Sequence, residues 1–161
     1  MRELAITAVG TDRPGIVAGL THALLEVGAN LQECRAALLR GSFAVVMAVE
    51  VPAELDAATA HERLAPAAAA LGLQLLIADA ADTVPGNVGE RCVISVYGAD
   101  HPGIVHAVSR ALAELGVNII DLSSRVVGED PVYVLGIEAE RPAGVPVADV
   151  RAALAAVGAE Q

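Results

Sequence analysis

An internal repeat constrains the fold of this chain more than any other feature of its sequence. The octapeptide Gly-Thr-Asp-Arg-Pro-Gly-Ile-Val at 10–17 returns as Gly-Ala-Asp-His-Pro-Gly-Ile-Val at 98–105, an offset of 88 positions. The same offset pairs Gly28 with Gly116 and, further on, Glu50 with Glu138. Since only two long copies are present, the pattern predicts a duplicated domain and not a solenoid of short repeats.

The repeat also predicts where the two domains begin and end. The chain has 161 residues, enough for two small single-core units. Residues 85–89 read Pro-Gly-Asn-Val-Gly, a composition typical of a loop. We therefore expect a first domain at 1–80, a linker at 81–89 and a second domain at 90–161.

Hydrophobic periodicity predicts the same order of elements at the start of each copy. Residues 3–9 alternate as a half-buried strand, and apolar residues then recur at helical spacing from Ile16 to Val27. Pro14 is expected at the start of that helix, where proline is tolerated. The second helix, 55–71, carries Asp56 near its start and a kink or break at Pro66. The remaining predicted strands of the first copy are 30–39, 43–51 and 73–77.

The second copy is predicted to lack one strand. Its strands are expected at 92–97, 118–127 and 132–140, and its helices at 102–115 and 147–157. A β-α-β-β-α-β unit closes as a four-stranded antiparallel sheet with two helices on one face. The sequence thus predicts an α+β protein of two ferredoxin-like units, the second without its last strand. We expect another strand or chain to cover the 92–97 edge, because unpaired edges are a liability.

The charge pattern excludes several classes of function. Twenty acidic residues face ten basic ones, a net charge of −10, and all ten basic residues are arginine. Direct nucleic-acid binding is therefore disfavoured, because it needs clustered positive charge. The absence of lysine removes Walker-type phosphate binding and Schiff-base chemistry. The four histidines show no metal-ligand spacing, so we expect no metal and no cofactor. Cys34 and Cys92 lie on predicted strands without a neighbouring histidine to activate them, so we expect no catalysis.

Targeting signals are not evident in the sequence. The N-terminus has no basic segment followed by a long apolar one. The most apolar stretch, 64–78, is shorter than the roughly 20 residues that a membrane span needs. We therefore expect a cytoplasmic protein with no membrane contact, in which Cys34 and Cys92 are buried free thiols.

The repeated loop before the first helix of each copy is the best candidate for chemistry. Asp12 and Asp100 could cap the helix or hold a ligand ammonium group. Gly15 and Gly103 allow a ligand or backbone to come close, and free N–H groups of a first helical turn attract anions. Together these groups match the two charges of a free amino acid. The same pattern is also an ordinary strand-to-helix turn.

The motif Asp-x-Pro-Gly-Ile-Val, followed by a helix and Gly-x-Asn, resembles the ACT domain in both copies. As a tandem pair, the chain resembles the glycine cleavage system transcriptional repressor group, and also the tandem regulatory half of some bacterial phosphoserine phosphatases. The resemblance implies effector binding, usually of amino acids, between paired domains. The implied ligand-binding positions are Gly10, Asp12, Arg13, Pro14, Gly15, Ile16 and Asn30 in the first copy. Those in the second copy are Gly98, Asp100, His101, Pro102, Gly103, Ile104 and Asn118.

Two functions follow from this resemblance. In the first, the chain is a non-catalytic amino-acid sensor that acts on a regulated protein partner, such as a transcriptional regulator of amino-acid metabolism. In the second, it is a dimerisation or partner-binding module without a small-molecule ligand. A homodimer is expected in either case, because the low aromatic content, 2%, suggests a modest core.

Overall fold

The computed structural model describes residues 1–80, 89–98, 102–128 and 132–160. The chain divides into two compact units, Met1–Asp82 and Thr83–Gln161. Apart from Gly89, the linker predicted at 81–89 lies outside the described residues, so its boundaries stay a prediction.

Unit 1 contains all six elements that the sequence predicts. They are β1 (Arg2–Thr11), α1 (Ile16–Glu26), β2 (Asn30–Leu39), β3 (Ser42–Val51), α2 (Ala57–Ala70) and β4 (Leu73–Asp79). The sheet is antiparallel in the order β2-β3-β1-β4. The core lies between this sheet and the two helices, and Leu4, Ile6 and Ala8 of β1 are at most 1% exposed. The predicted alternation of β1 is thereby confirmed.

The two helices of unit 1 differ in part from the prediction. Val17 belongs to the apolar series of α1 but is exposed, and Ala23 takes a buried place instead. Helix α2 does not break at Pro66, since the helix runs on to Ala70. Asp56 is its N-cap and accepts a hydrogen bond of 2.8 Å from the Thr59 backbone N–H. This hydrogen bond lowers the pKa of the Asp56 carboxyl below its usual value.

Unit 2 repeats the first five elements. They are β5 (Glu90–Gly98), α3 (Ile104–Glu114), β6 (Asn118–Val127), β7 (Val132–Arg141) and α4 (Val147–Glu160). The antiparallel sheet has three strands in the order β5-β7-β6. The α+β class, with ferredoxin-like units and a missing strand in the second, is thus confirmed.

The strand registers correct the predicted offset of the repeat. Glu3 lies opposite Glu50 on β3, and its counterpart Arg91 lies opposite Glu140 on β7. Glu50 therefore corresponds to Glu140 and not to Glu138. The offset is 88 up to β6 and 90 from β7 onward, because the turn between β6 and β7 is two residues longer than the turn between β2 and β3.

The environment of the cysteines also differs from the prediction. Both are free, but Cys34 is exposed and Cys92 is only half-buried. Cys34 lies on β2, an edge strand with every residue exposed. Cys92 lies on β5, which pairs with β7 alone among the described strands. Cover of the free β5 edge by another chain stays a prediction.

Candidate functional site

The loop between β1 and α1 lies at one end of the unit 1 sheet. The Asp12 backbone N–H donates a hydrogen bond of 2.9 Å to the Gly41 carbonyl, in the turn between β2 and β3. Gly10, just before the loop, lies against the turn that leads into β4, where an added Cβ would come within 2.5 Å of the Gly72 carbonyl oxygen. Glycine is therefore required at position 10 by the packing of the chain itself.

Both repeated loops end in a glycine with the left-handed conformation. Gly15 has a φ of 92° and Gly103 a φ of 101°, and each is the N-cap of its helix. The helices begin at Ile16 and Ile104, so Pro14 and Pro102 precede the helix and are not its first residues. This corrects the predicted helix starts. A Cβ at either glycine would meet no atom within 4 Å, so backbone conformation is the local reason for glycine.

The Asp12 carboxylate does not cap α1, which corrects one of its two predicted roles. The side chain is exposed, and no hydrogen bond or ion pair joins it to another described residue. Arg13 behaves differently, since its Nη2 donates a hydrogen bond of 2.7 Å to the Ala70 carbonyl at the end of α2. The arginine thus fastens the loop to the neighbouring helix, while the aspartate stays available.

The two isoleucines of the motif belong to the core. Ile16 and Ile104 are 2% and 8% exposed. Each also carries a backbone N–H in the first turn of its helix, a group that has no partner within the helix. These residues could contact a ligand through the backbone, not through their side chains.

Asn30 is not brought together with Asp12 inside one unit. It opens β2 and lies opposite Glu50, at the end of the sheet where β1 begins, while Gly10 lies opposite Phe43. The separation is seven strand residues, roughly 23 Å. Asn118 is placed in the same way in unit 2, opposite Glu140. A site with both the loop and the asparagine therefore needs two units.

The second copy of the predicted site is described in part. Gly98, Pro102, Gly103, Ile104 and Asn118 are described, whereas Asp100 and His101 lie outside the described residues. No group of three or more potential metal ligands occurs among the described residues. None of the described helices is long and apolar enough to cross a membrane.

Three cavities are found among the described residues, and none of the predicted site residues lines them. One of about 440 Å³ lies between α1 and the start of β2, and one of about 480 Å³ lies around Arg2 and Glu50. A third, of about 530 Å³, lies between β5 and α4 and includes Arg141. The sequence predicted the unpaired 92–97 edge beside this third cavity but not Arg141 in its lining. Arg141 is a buried arginine at the position of Val51, a correspondence that appears only with the offset of 90.

Family models identify both halves of the chain. The ACT domain matches residues 2–77, and an ACT domain model also matches residues 93–157. The chain belongs to the ACT domain family. The predicted resemblance is confirmed, and the two ACT domains correspond to the two units of the structure.

Known proteins resemble this ACT pair over almost its whole length. The glycine cleavage system transcriptional repressor of Escherichia coli is 29% identical over 98% of this chain and 84% of its own. Phosphoserine phosphatase SerB2 of Mycobacterium tuberculosis is 29% identical over 99% of this chain, which spans 39% of that protein. The solved structure of an unknown protein from Galdieria sulphuraria has a TM-score of 0.86 at 28% identity, covering 99% of this chain and 92% of the other.

These likenesses support a general class of function. Two ACT domains and full-length similarity to a repressor support a regulatory, ligand-binding role and favour a non-catalytic protein.

Proposed function

We propose that this ACT pair is a cytoplasmic, non-catalytic regulator that binds a free amino acid and acts on a partner protein. The observation that carries the proposal is the combination found in the loop of unit 1. The first-turn N–H groups of α1 follow the left-handed Gly15, and the Asp12 carboxylate nearby has no partner among the described residues. Helix N–H groups suit the carboxylate of an amino acid, and an aspartate suits its ammonium group.

A second copy of the chain would complete this site. Strand β2 is an edge strand, and every residue of it is exposed. If β2 pairs with β2 of a second copy about a twofold axis, the antiparallel strands bring the loop end of one copy near Asn30 of the other. We therefore place the effector at this homodimer interface, with Asp12 and Asn30 supplied by different copies.

The regulated partner is a protein and not a nucleic acid. The net charge of −10 opposes contact with phosphates. The likeness to a transcriptional repressor supports a regulatory protein of amino-acid metabolism as the partner. Ligand binding would act by favouring one of two arrangements of the domains or subunits.

The first experiment is a thermal-shift panel of the twenty amino acids, with calorimetry on each hit. A ligand at 100 times its Kd stabilises the protein by about 2.7 kcal/mol. We expect one clear hit that is lost in Asp12→Ala and in Asn30→Ala. Glu62→Ala, which changes an exposed acid on α2, is the matched control and should keep the hit.

Mixing the two inactive variants tests the geometry. In a heterodimer of Asp12→Ala and Asn30→Ala, one interface site loses both residues and the other keeps both. Random reassembly after refolding should then restore about a quarter of the wild-type sites. If the mixture binds no better than either variant alone, the two residues do not share an intersubunit site.

The alternative function is an ACT dimerisation or partner-binding module without a ligand. The packing reason for Gly10 and the bond from Arg13 to Ala70 favour it, because both explain loop residues without a ligand. In that case no amino acid shifts the melting temperature, while the homodimer persists in light scattering.

A further inference from the structure

The sheet of unit 2 has a free edge where unit 1 has a strand. In unit 1, β1 lies between β3 and β4. In unit 2, the counterpart β5 pairs with β7 on one side, and no described strand lies on the other. Such an edge presents backbone N–H and C=O groups that can pair with an added strand.

A groove runs beside this edge, between β5 and α4. It has a volume of about 530 Å³ and is lined by β5 residues 92–97 together with Val147, Val150 and Leu154 of α4. We call it the β5–α4 groove. In unit 1 the matching space is filled by β4, which packs on α2 and buries Leu73 in the core.

The residues of the groove are apolar but incompletely buried. Leu4, Ile6 and Ala8 of β1 are at most 1% exposed, whereas their counterparts Cys92, Ile94 and Val96 on β5 are half-buried. Leu64 of α2 is buried, and Leu154, ninety residues later on α4, is half-buried. A strand in the position of β4 would cover these same residues, which makes an extended segment the fitting occupant.

Gly98 is a separate indication of an added strand. Its counterpart Gly10 must be glycine because the chain entering β4 comes too close for a Cβ. A Cβ at Gly98 would meet no described atom within 4 Å. Strand β5 thus keeps, directly after Tyr97 of the groove lining, the glycine that admits a strand backbone in unit 1.

The arginines of the groove indicate which charge the bound segment carries at one end. Arg141 is 7% exposed and donates hydrogen bonds to the Val145 carbonyl and the Glu90 carboxylate. Its buried Nε has no partner among the described residues. The exposed Arg151 lines the same groove, and no acidic side chain among the described residues lines it. Because Glu90 already pairs with Arg141, the positive charge that favours an acidic group in the groove is that of Arg151.

The register of β4 shows where that acidic group would lie. Leu73 lies opposite Gly10 and Asp79 opposite Leu4, so a strand in the same place on β5 would end beside Cys92, next to Arg141. In unit 1 the end of β4 meets a cation on β1, since Asp79 Oδ1 lies 3.3 Å from Arg2 Nη1. The position of Arg2 is Glu90 in unit 2, where it binds Arg141. The cation left for the end of an added strand is therefore Arg151 of α4, which lines the same groove.

We propose that the β5–α4 groove binds an extended segment of a partner protein as a fourth, antiparallel strand. The segment carries apolar side chains at alternate positions and an acidic residue at its C-terminal end. This inference does not depend on the proposed function, because none of the proposed effector-binding residues lines the groove. The chain's own β4, Leu-Gln-Leu-Leu-Ile-Ala-Asp at 73–79, has the required chemistry and provides the probe.

The test is fluorescence anisotropy of a labelled peptide with the β4 sequence and a polar N-terminal extension, titrated with the full chain. We expect saturable binding that is lost when proline replaces the central leucine, since proline cannot donate a strand hydrogen bond. A peptide ending in lysine should bind roughly fivefold more weakly than the peptide ending in aspartate.

A charge swap makes the test specific for the groove. Arg151→Glu should reverse the preference, so that the lysine-ended peptide binds better. Arg125→Glu, the same change at an exposed position on β6, is the control and should keep the wild-type preference. Circular dichroism checks that both variants fold.

Two results would overturn the proposal. One is that the β4 peptide does not bind, or that its affinity changes neither with the charge at its end nor with Arg151→Glu. The other is a groove occupied by a second copy, which would appear as a dimer that Val147→Glu converts to monomers while the peptide fails to compete.

Discussion

At the scale of single residues, the two copies of one glycine have different roles. Gly10→Ala would place a Cβ 2.5 Å from the backbone oxygen of Gly72, and backbone cannot move aside as a side chain can. We expect it to destabilise the protein by about 1–3 kcal/mol. Gly98→Ala meets no such contact and should change the stability by less than about 0.5 kcal/mol. Chemical denaturation of the two variants measures both effects, and equal losses would contradict this assignment.

The Asp56 cap predicts a dependence of stability on pH. The hydrogen bond from Thr59 lowers the folded-state pKa of Asp56, so its stabilising effect is present above the unfolded pKa. The effect is lost as the pH falls through the lowered folded pKa. Asp56→Asn keeps a capping side chain without this titration. As the pH is lowered from neutral to 3, the melting temperature of the wild type should therefore decrease relative to that of Asp56→Asn. A difference between the two melting temperatures that stays constant with pH would contradict the cap.

The sequence identified some residues of the candidate site and missed others. The loop glycines and Asp12 were found by the repeat alone, because a duplicated motif needs no structure to be seen. The separation of Asn30 from Asp12 does not follow from the motif alone, but it does follow from the predicted β-α-β order, since α1 returns the chain to the end of the sheet where β1 begins. Arg141 was missed because the offset changes in the turn between β6 and β7.

At the scale of elements, the order of strands and helices was predictable and most of their ends were not. Alternation identified β1, and helical spacing identified α1, since burial on one face imposes those periods. Helix α2 continues past Pro66 because packing on β4 and α1 supports it where local propensity would end it. Strands β2 and β6 begin and end where predicted, at 30–39 and 118–127.

The β2 edge carries a prediction of its own. Leu38 on this edge is 61% exposed, and a lysine on an edge strand opposes pairing with another strand. Leu38→Lys should convert the proposed homodimer to a 16.3 kDa monomer, as measured by light scattering after gel filtration. Leu76→Lys is the matched control on β4, the opposite edge strand. If only the control variant Leu76→Lys is a monomer, the interface lies at β4 and not at β2.

At the scale of the whole molecule, the two units have unequal cores. The buried cluster of unit 1 contains 17 residues, whereas that of unit 2 contains eight among those described. Since buried apolar area is the main source of stability, unit 2 should unfold first. Hydrogen exchange followed by mass spectrometry should show faster exchange in β5 than in β1. Uniform protection across both strands would mean that the units unfold together.

The edge of β5 that no described strand covers has a consequence for the lifetime of the protein. A helix that lacks a covering strand opens more often, and proteases cut chains in their opened state. Helix α4 is therefore the expected first cleavage site of the unbound protein. If a partner segment binds along β5 as proposed, it would protect α4, and the turnover of this chain in the cell would report whether that partner is present.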